Sequence, residues 1–251
     1  MKAKLPSFFK FEHPNTLIRL GKKNDGGYLV SKSDVIESKF LISLGINDDW
    51  SFEKDFTKIN NVPLYAFDPT VNFRFFIKII ILSVVNIYKD FLGIIHGLRL
   101  PFNYLNFFKG NRKHIKKFVG LNSYGNHTTM ESILEKVDFD KVFLKIDIEG
   151  SEYRLLETLL KYQEKITGLV IEFHNCDIHL DYLEKFINRF NLKVVHIHAN
   201  NFGPIRLDDG LPTILEISFS KFSTEYKKAS LPHILDMPNN KFNEEIKLSF
   251  N

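Results

Sequence analysis

A single cysteine, Cys176, stands among the 251 residues, so no disulfide can close within the chain. Also missing is a run of about 20 unbroken apolar residues, the length a spanning helix needs. The most apolar stretch, residues 71–108, is interrupted by Arg74, Lys78, Asn86, Lys89 and Asp90. It reads as two helical segments packed on the domain in preference to a membrane contact. Met1 to Phe11 is basic but has no long apolar core and no small-residue cleavage site. With the lone cysteine, this points to a reducing, cytoplasmic setting. Charge of one sign is scarce too: 34 Lys and Arg are set against 30 Asp and Glu, a formal net charge of +4. Such a balance argues against a nucleic-acid partner and is compatible with an acceptor that carries phosphate. Repeats, low-complexity tracts and linkers are absent. The length suits one large α/β domain over residues 1–251, as a monomer or a homodimer.

What is present is an alternation of strand-length and helix-length apolar runs, the pattern of a mostly parallel sheet covered by helices. Strands are expected at 40–44, 63–67, 115–119, 142–146, 167–173, 192–198 and 214–219. Helices are expected at 50–59, 129–137 (capped by Thr128 or Thr129), 151–162 and 180–190, with a long helical excursion over 71–108. The last connection, 199–213, carries Gly203-Pro204 and Asp208-Asp209-Gly210 and has no room for a crossover helix, so the final two strands should be antiparallel. That ending separates a methyltransferase-type sheet from the dinucleotide dehydrogenase type. The fold class expected is therefore α/β, Rossmann-like, with an antiparallel last strand and a helical insertion after the second strand. The tail from Lys221 is polar and proline-punctuated and should pack over the surface.

Ligands of such sheets bind at the carboxyl ends of the strands, near the switch point. The first strand ends in Leu44-Gly45-Ile46-Asn47-Asp48-Asp49 and the second in Asp68, 23 residues after Gly45. Gly45 would admit a ligand close to the backbone, and Asp68 is placed to accept from ribose hydroxyls. The loop lacks G-x-G-x-x-G, and its two carboxylates would repel a pyrophosphate. A cationic sulfonium and ammonium, as in S-adenosylmethionine, suit it instead. Asp48 or Asp49 can equally be a plain helix cap. Upstream, Asn24-Asp25-Gly26-Gly27-Tyr28 reads either as a simple hairpin or as a lid over the cofactor's methionine end.

Methyl transfer to a hydroxyl needs a general base, a metal ion, or both. Three strand ends offer groups: Lys145, Asp147 and Glu149; Glu172 and His174; His196, His198 and Asn200. Asp147, Glu172 and His198 could together hold Mn²⁺ or Mg²⁺. Without metal, His174 or His198 would serve as base and Lys145 would neutralise a carboxylate or phosphate. Each histidine taken alone is as well explained as a satisfied polar group, and Glu149 and Glu152 as first-turn helix carboxylates.

These residues together resemble the FkbM family of methyltransferases. The likeness runs through Asn24-Asp25-Gly26-Gly27-Tyr28, Leu44-Gly45-Ile46 with Asp49-x-Ser51-Phe52-Glu53, and Ala66-Phe67-Asp68-Pro69. It continues in the most specific block, Leu144-Lys145-Ile146-Asp147-Ile148-Glu149-Gly150-Ser151-Glu152, then Ile171-Glu172-Phe173-His174, 196–203 and 235–239. The resemblance implies S-adenosylmethionine as donor, held by Asp25, Gly26, Tyr28, Gly45, Asn47, Asp49, Ser51, Glu53 and Asp68. It further implies O-methylation of a sugar or sugar-nucleotide, as in bacterial capsule or lipopolysaccharide biosynthesis. A phosphoryl-linked group such as a phosphoramidate, or a non-catalytic binding role for the same fold, are the other readings. The 71–110 insertion departs from compact family members and is a candidate acceptor-binding element.

Overall fold

The computed structural model describes residues 1–85 and 91–251. Ahead of the first expected strand the chain already forms short ones that three to five residues are too few to announce. β1 (Lys2–Leu5) and β2 (Glu12–Pro14) lie outside the central sheet. β3 (Leu17–Gly21) and β4 (Gly27–Ser31) form an antiparallel hairpin around the Asn-Asp-Gly-Gly turn, and α1 (Lys32–Glu37) follows. From there the expected alternation appears: β5 (Phe40–Leu44), α2 (Ser51–Ile59), β6 (Leu64–Phe67), then α3 (Phe73–Val85) and α4 (Phe91–Phe107). The helical excursion is thus two helices, and 86–90 lies outside the described residues.

The third central strand is β7 (Arg112–Ile115), earlier than the expected 115–119. Its register with β6 ends at Phe67 opposite Ile115, where Asp68 N–H donates to the Ile115 carbonyl and the chain leaves the sheet through Lys116-Lys117. Residues 118–120 form β8 (Phe118–Gly120), which pairs with β9 (His127–Thr129) in a ribbon of their own. α5 (Met130–Lys136) is capped by Thr129, whose hydroxyl accepts from Ser132 N–H at 3.1 Å. β10 (Val142–Ile146) leads to α6 (Leu156–Lys161), shorter than the helix expected over 151–162 because 152–154 is a 3-10 turn. β11 (Ile166–Phe173), α7 (Leu180–Arg189), β12 (Lys193–Ala199) and β13 (Leu215–Ser220) complete the core. The tail adds β14 (Tyr226–Lys228) against β2 and β15 (Lys247–Phe250) against β1.

The central sheet runs β7-β6-β5-β10-β11-β13-β12, with β13 antiparallel to both neighbours and the other pairs parallel. Numbered within the sheet, this is 3-2-1-4-5-7-6, the doubly wound order with an antiparallel strand inserted before the last. It is the expected Rossmann-like methyltransferase fold. Strand alternation divides the core in two. Phe40, Ile42, Leu44, Leu144 and Ile171 face α5, α6 and α7, while Leu41, Phe143 and Val170 face Phe52 and Phe56 of α2 and Leu100 and Phe107 of α4. Burial on both faces explains why these strands read as continuous apolar runs. Among the described residues no helix is long and apolar enough to cross a membrane.

Candidate active site

Strand order reverses between β5 and β10, and the chain beyond both is held open there by backbone bonds. Gly45 N–H donates to Phe67 O and Asp147 N–H to Leu44 O, each at 2.9 Å. Gly45 has φ +78, and a β-carbon on it would lie 1.8 Å from the Asp147 carbonyl oxygen. Glycine is required here so that the two strand ends can touch, and the same residue also lines the cavity described below. Asp68 is the organiser of the next loop. Its Oδ2 accepts from Ile46 and Asn47 N–H (3.0 and 2.8 Å), and its Oδ1 from Thr70 N–H and Oγ1 (2.8 and 2.6 Å). Burial would raise its pKa, but these four donors outweigh it and hold the carboxyl below the ordinary value. Its lone pairs are therefore committed to the loop.

Above this loop opens a cavity of about 640 Å³, within the range of ligand pockets. Asp25, Gly26, Gly45, Asn47, Asp49, Glu53 and Asp68 line it, together with Asp147 and Glu149. Two members of the expected cofactor set stand back from the walls. Ser51 donates from N–H and Oγ to Asp49, each at 3.0 Å, so it fixes that carboxylate at the start of α2. Tyr28 is buried beneath the floor. The expected lid is a packed hairpin: a β-carbon on Gly26 would meet Asp49 Oδ2 at 2.6 Å, and Asn24 Nδ2 donates to Pro238 O at 2.8 Å.

Whether this cavity fits a cationic thioether can be read from Glu53. Its side chain is fully buried in the cavity wall, Oε1 accepts from Ser43 Oγ, and Oε2 has no hydrogen-bond partner among the described residues. Burial holds its pKa above the ordinary value despite Lys145 and Ser43. A buried carboxylate oxygen without a donor is the complement of an ammonium group. Asp25, Asp49 and Asp147 add negative charge nearby, and Ile46, Phe67 and Val119 supply apolar wall for a base.

At the chemistry end, Tyr28 Oη lies 3.0 Å from Asp147 Oδ2 and 3.2 Å from Glu172 Oε2, bridging the ends of β10 and β11. Burial, then Asp147 and Glu172, keep the phenol protonated far above its ordinary range. Glu172 is itself raised well above the usual carboxylate value, by burial and then by Asp147, Glu216 and Asp25. Lys145 Nζ donates to the Gly45 carbonyl and stands 3.8 Å from Asp147 Oδ2, offsetting part of this negative charge.

His174 is positioned by Glu152, a residue whose role the sequence hid by placing it in an apparent helix start. Glu152 is fully buried, and its Oε1 accepts from Ile148 N–H, Gly150 N–H and His174 Nδ1 (3.2, 3.0 and 3.2 Å). His174 Nε2 is left facing Glu149 Oε2 at 3.5 Å and Glu172 Oε1 at 3.7 Å. Burial alone would lower the His174 pKa, but the Glu152 hydrogen bond and charge, then Asp147 and Glu149, raise it above 6.5. Asn47, Glu149 and Asn175, directly beyond β5, β10 and β11, all have positive φ (40°, 55° and 54°). Such backbone is uncommon outside glycine and tends to cluster at functional sites. Asp147, Glu149 and His174 each present a ligand atom within 4.8 Å of the others.

His198 is elsewhere. β13 separates β12 from β11, and the register sets His198 and Glu172 on opposite sides of Glu216. Its Nδ1 is 3.1 Å from Glu216 Oε2 and its Nε2 2.9 Å from Glu245 Oε1. Burial would lower its pKa, but the two carboxylates raise it to about 10. Both His198 nitrogens thus face carboxylates across β13 from Glu172, and among the described residues the side chains whose ligand atoms approach one another are Asp147, Glu149 and His174, not the expected Asp147, Glu172 and His198. His196 lies 2.9 Å from Asp236, in a stack with His13 away from the cavity.

No family model matches the chain, and no curated protein matches it by sequence. Among solved structures it is similar to a precorrin-6y C5,15-methyltransferase from Geobacter metallireducens, at 10% identity and TM-score 0.40, covering 76% of this chain and 85% of that one. It is similar also to an rRNA methylase from Streptococcus thermophilus, at 13% identity and TM-score 0.38, covering 75% and 91%. A third likeness is to the METTL16 methyltransferase domain, at 11% identity and TM-score 0.41, covering 75% and 64%. Superpositions this loose transfer no residue roles.

Proposed function

We propose that this chain is an S-adenosylmethionine-dependent O-methyltransferase, acting as one domain over residues 1–251. The observation that carries the reading is the cavity at the switch point, walled by carboxylates, one of which, Glu149, lies 3.5 Å from His174 of the Glu152–His174 pair behind the lining. Glu53 and Asp49 would meet the ammonium and sulfonium, with Asp25 and Gly26 closing that end. The loop held by Asp68 would meet the ribose and the apolar wall the adenine. When bound, the donor supplies an electrophilic methyl group. The chain supplies the rest. Glu152 fixes the proton of His174 on Nδ1, so Nε2 can take the proton of an acceptor hydroxyl. Glu149, exposed and next to Nε2, gives way to that hydroxyl, and Lys145 and Tyr28 hold Asp147.

A divalent cation held by Asp147, Glu149 and His174 is the second reading, favoured by the approach of their ligand atoms. The acceptor class follows the FkbM-like blocks: a sugar or sugar-nucleotide hydroxyl of bacterial surface-polysaccharide synthesis, with Lys78, Lys117 and Lys22 at the cavity rim to meet phosphate. Calorimetric titration should detect binding of S-adenosylmethionine and of S-adenosylhomocysteine. A sugar-nucleotide panel with radiolabelled donor should identify the acceptor, and EDTA separates the two readings of the base. Absence of binding at about millimolar donor, where even a weak site with Kd near 1 mM is about half filled, would end the proposal.

A further inference from the structure

The insertion turns its apolar residues outward. On α3, the exposed side chains Phe73, Ile77, Ile81, Val84 and Val85 recur at helical spacing, with Arg74 and Lys78 beside them. On α4, Leu98, Phe102 and Leu105 do the same beside Arg99. Phe73 is 75% exposed and Phe102 70%. The opposite faces are already used: Phe75, Phe76 and Ile79 of α3 and Leu100, Tyr104 and Phe107 of α4 pack against the domain. Each helix therefore has apolar residues on both sides, where a surface helix ordinarily presents charge to water.

Charge identifies what covers that outer face. Residues 71–118 hold nine Lys and Arg and one acidic residue, Asp90, a net +8 that leaves −4 on the remainder of the chain. Among the described residues no salt bridge engages Arg74, Lys78, Arg99, Lys109, Arg112, Lys113, Lys116 or Lys117. Over the described residues neither helix is long and apolar enough to cross a bilayer. An exposed apolar stripe bordered by unpaired cations is the signature of a helix lying in the interface of an anionic membrane. A second copy of the chain fits poorly, because a two-fold contact would press two +8 segments together. We propose that the α3–α4 hairpin seats this protein on an anionic membrane surface.

Position gives the seat a purpose. Phe75 and Lys78 of α3, and Lys117 and Phe118 just beyond β7, belong to the cavity rim. A membrane under the hairpin thus lies against the cavity mouth. Taken with the methyltransferase reading, on which this step alone rests, the acceptor hydroxyl is presented by a lipid-linked group at the bilayer surface.

The test is co-sedimentation of the full chain with vesicles of phosphatidylcholine alone and with about 30% phosphatidylglycerol. At least about tenfold more protein should pellet with the anionic vesicles, and about 0.5 M salt should release most of it. The double variant Phe73→Ser/Ile77→Ser should lose about tenfold or more of the binding. Both side chains are solvent-exposed, and circular dichroism checks the fold. Phe102→Ser/Leu105→Ser on α4 repeats the test independently. The proposal is overturned if the chain stays in the supernatant, if neutral vesicles bind it equally, or if single-stranded RNA retains it where vesicles do not. A dimer that the same variants dissolve would also overturn it. None of these measurements involves turnover or donor binding, so failure here and failure of the methyltransferase reading are separate results.

Discussion

Replacing Asp68 with asparagine tests whether the loop beyond β5 is built on one carboxylate. Four donors converge on Asp68, two at each oxygen. Asparagine keeps one oxygen and turns the other into an amide NH2, so one pair of donors loses its acceptor and faces N–H groups. Hydrogen bonds to a charged group contribute about 1.5–3 kcal/mol each, so the loss is ~3–6 kcal/mol. At about 2–4 °C per kcal/mol for a chain of this size, the melting temperature should fall by roughly 6–24 °C. The pH dependence has a definite sign. The folded pKa of Asp68 is depressed, so its stabilisation is present above the ordinary value of 3.8 and is lost as pH falls through the folded value. The gap between wild type and Asp68→Asn should therefore be widest near neutrality and narrow in acid. Differential scanning calorimetry from pH 7 down to about pH 3 reads it directly, with donor affinity followed by titration calorimetry. A variant that melts within about 2 °C of wild type at pH 7 would refute the loop-organising role, since that corresponds to roughly 1 kcal/mol or less.

His174→Ala should lower turnover by about 10²–10⁴-fold with donor affinity nearly unchanged, as expected for a base; wild-type turnover would remove its role. Glu152→Gln takes away the charge that raises the His174 pKa, so the acid limb of the pH–rate profile should move to lower pH, and an unmoved limb would contradict the pairing. His198, raised to about 10, contributes stability that is full below about 6.5 and lost as pH climbs toward 10. His198→Leu strands Glu216 and Glu245 and should cost about 3–5 kcal/mol at pH 7, visible as a lowered denaturation midpoint, whereas a catalytic role would leave stability intact. Gly45→Ala places a β-carbon 1.8 Å from the Asp147 carbonyl at a left-handed backbone position, so soluble expression should collapse; a well-folded variant would contradict the contact.

The central strands were legible because both their faces are buried. Phe40–Leu44 and Val142–Ile146 stand as apolar runs between turn residues, and their bounds agree with the expected ones. The antiparallel ending was legible from a connection too short for a helix. Of the N-terminal strands, Lys2–Leu5 and Glu12–Pro14 were not, since they depend on partners distant in sequence, whereas the turn of the Leu17–Gly21 and Gly27–Ser31 hairpin was visible as Asn-Asp-Gly-Gly. In the site, spacing could place Asp147, Glu172 and His174 at strand ends. It could not tell that β13 enters between β11 and β12, which is what removes His198 from the group. Glu152 escaped because a carboxylate two residues after a glycine looks like a helix cap. Only the reversed chain at Glu149 and Gly150, with φ 55° and 94°, turns it back toward His174.

The tail completes the protein late. Asn239 Nδ2 reaches both Asp25 Oδ1 at the hairpin and Glu216 Oε1 at 2.6 Å, and β15 joins the first residues of the chain to the last. A ribosome therefore releases every strand of the central sheet before it releases the residues that brace the hairpin wall. A nascent chain halted ahead of Asn239 would own its scaffold without a finished binding wall, so ligand capture should begin only once Asn239 has emerged and folded back.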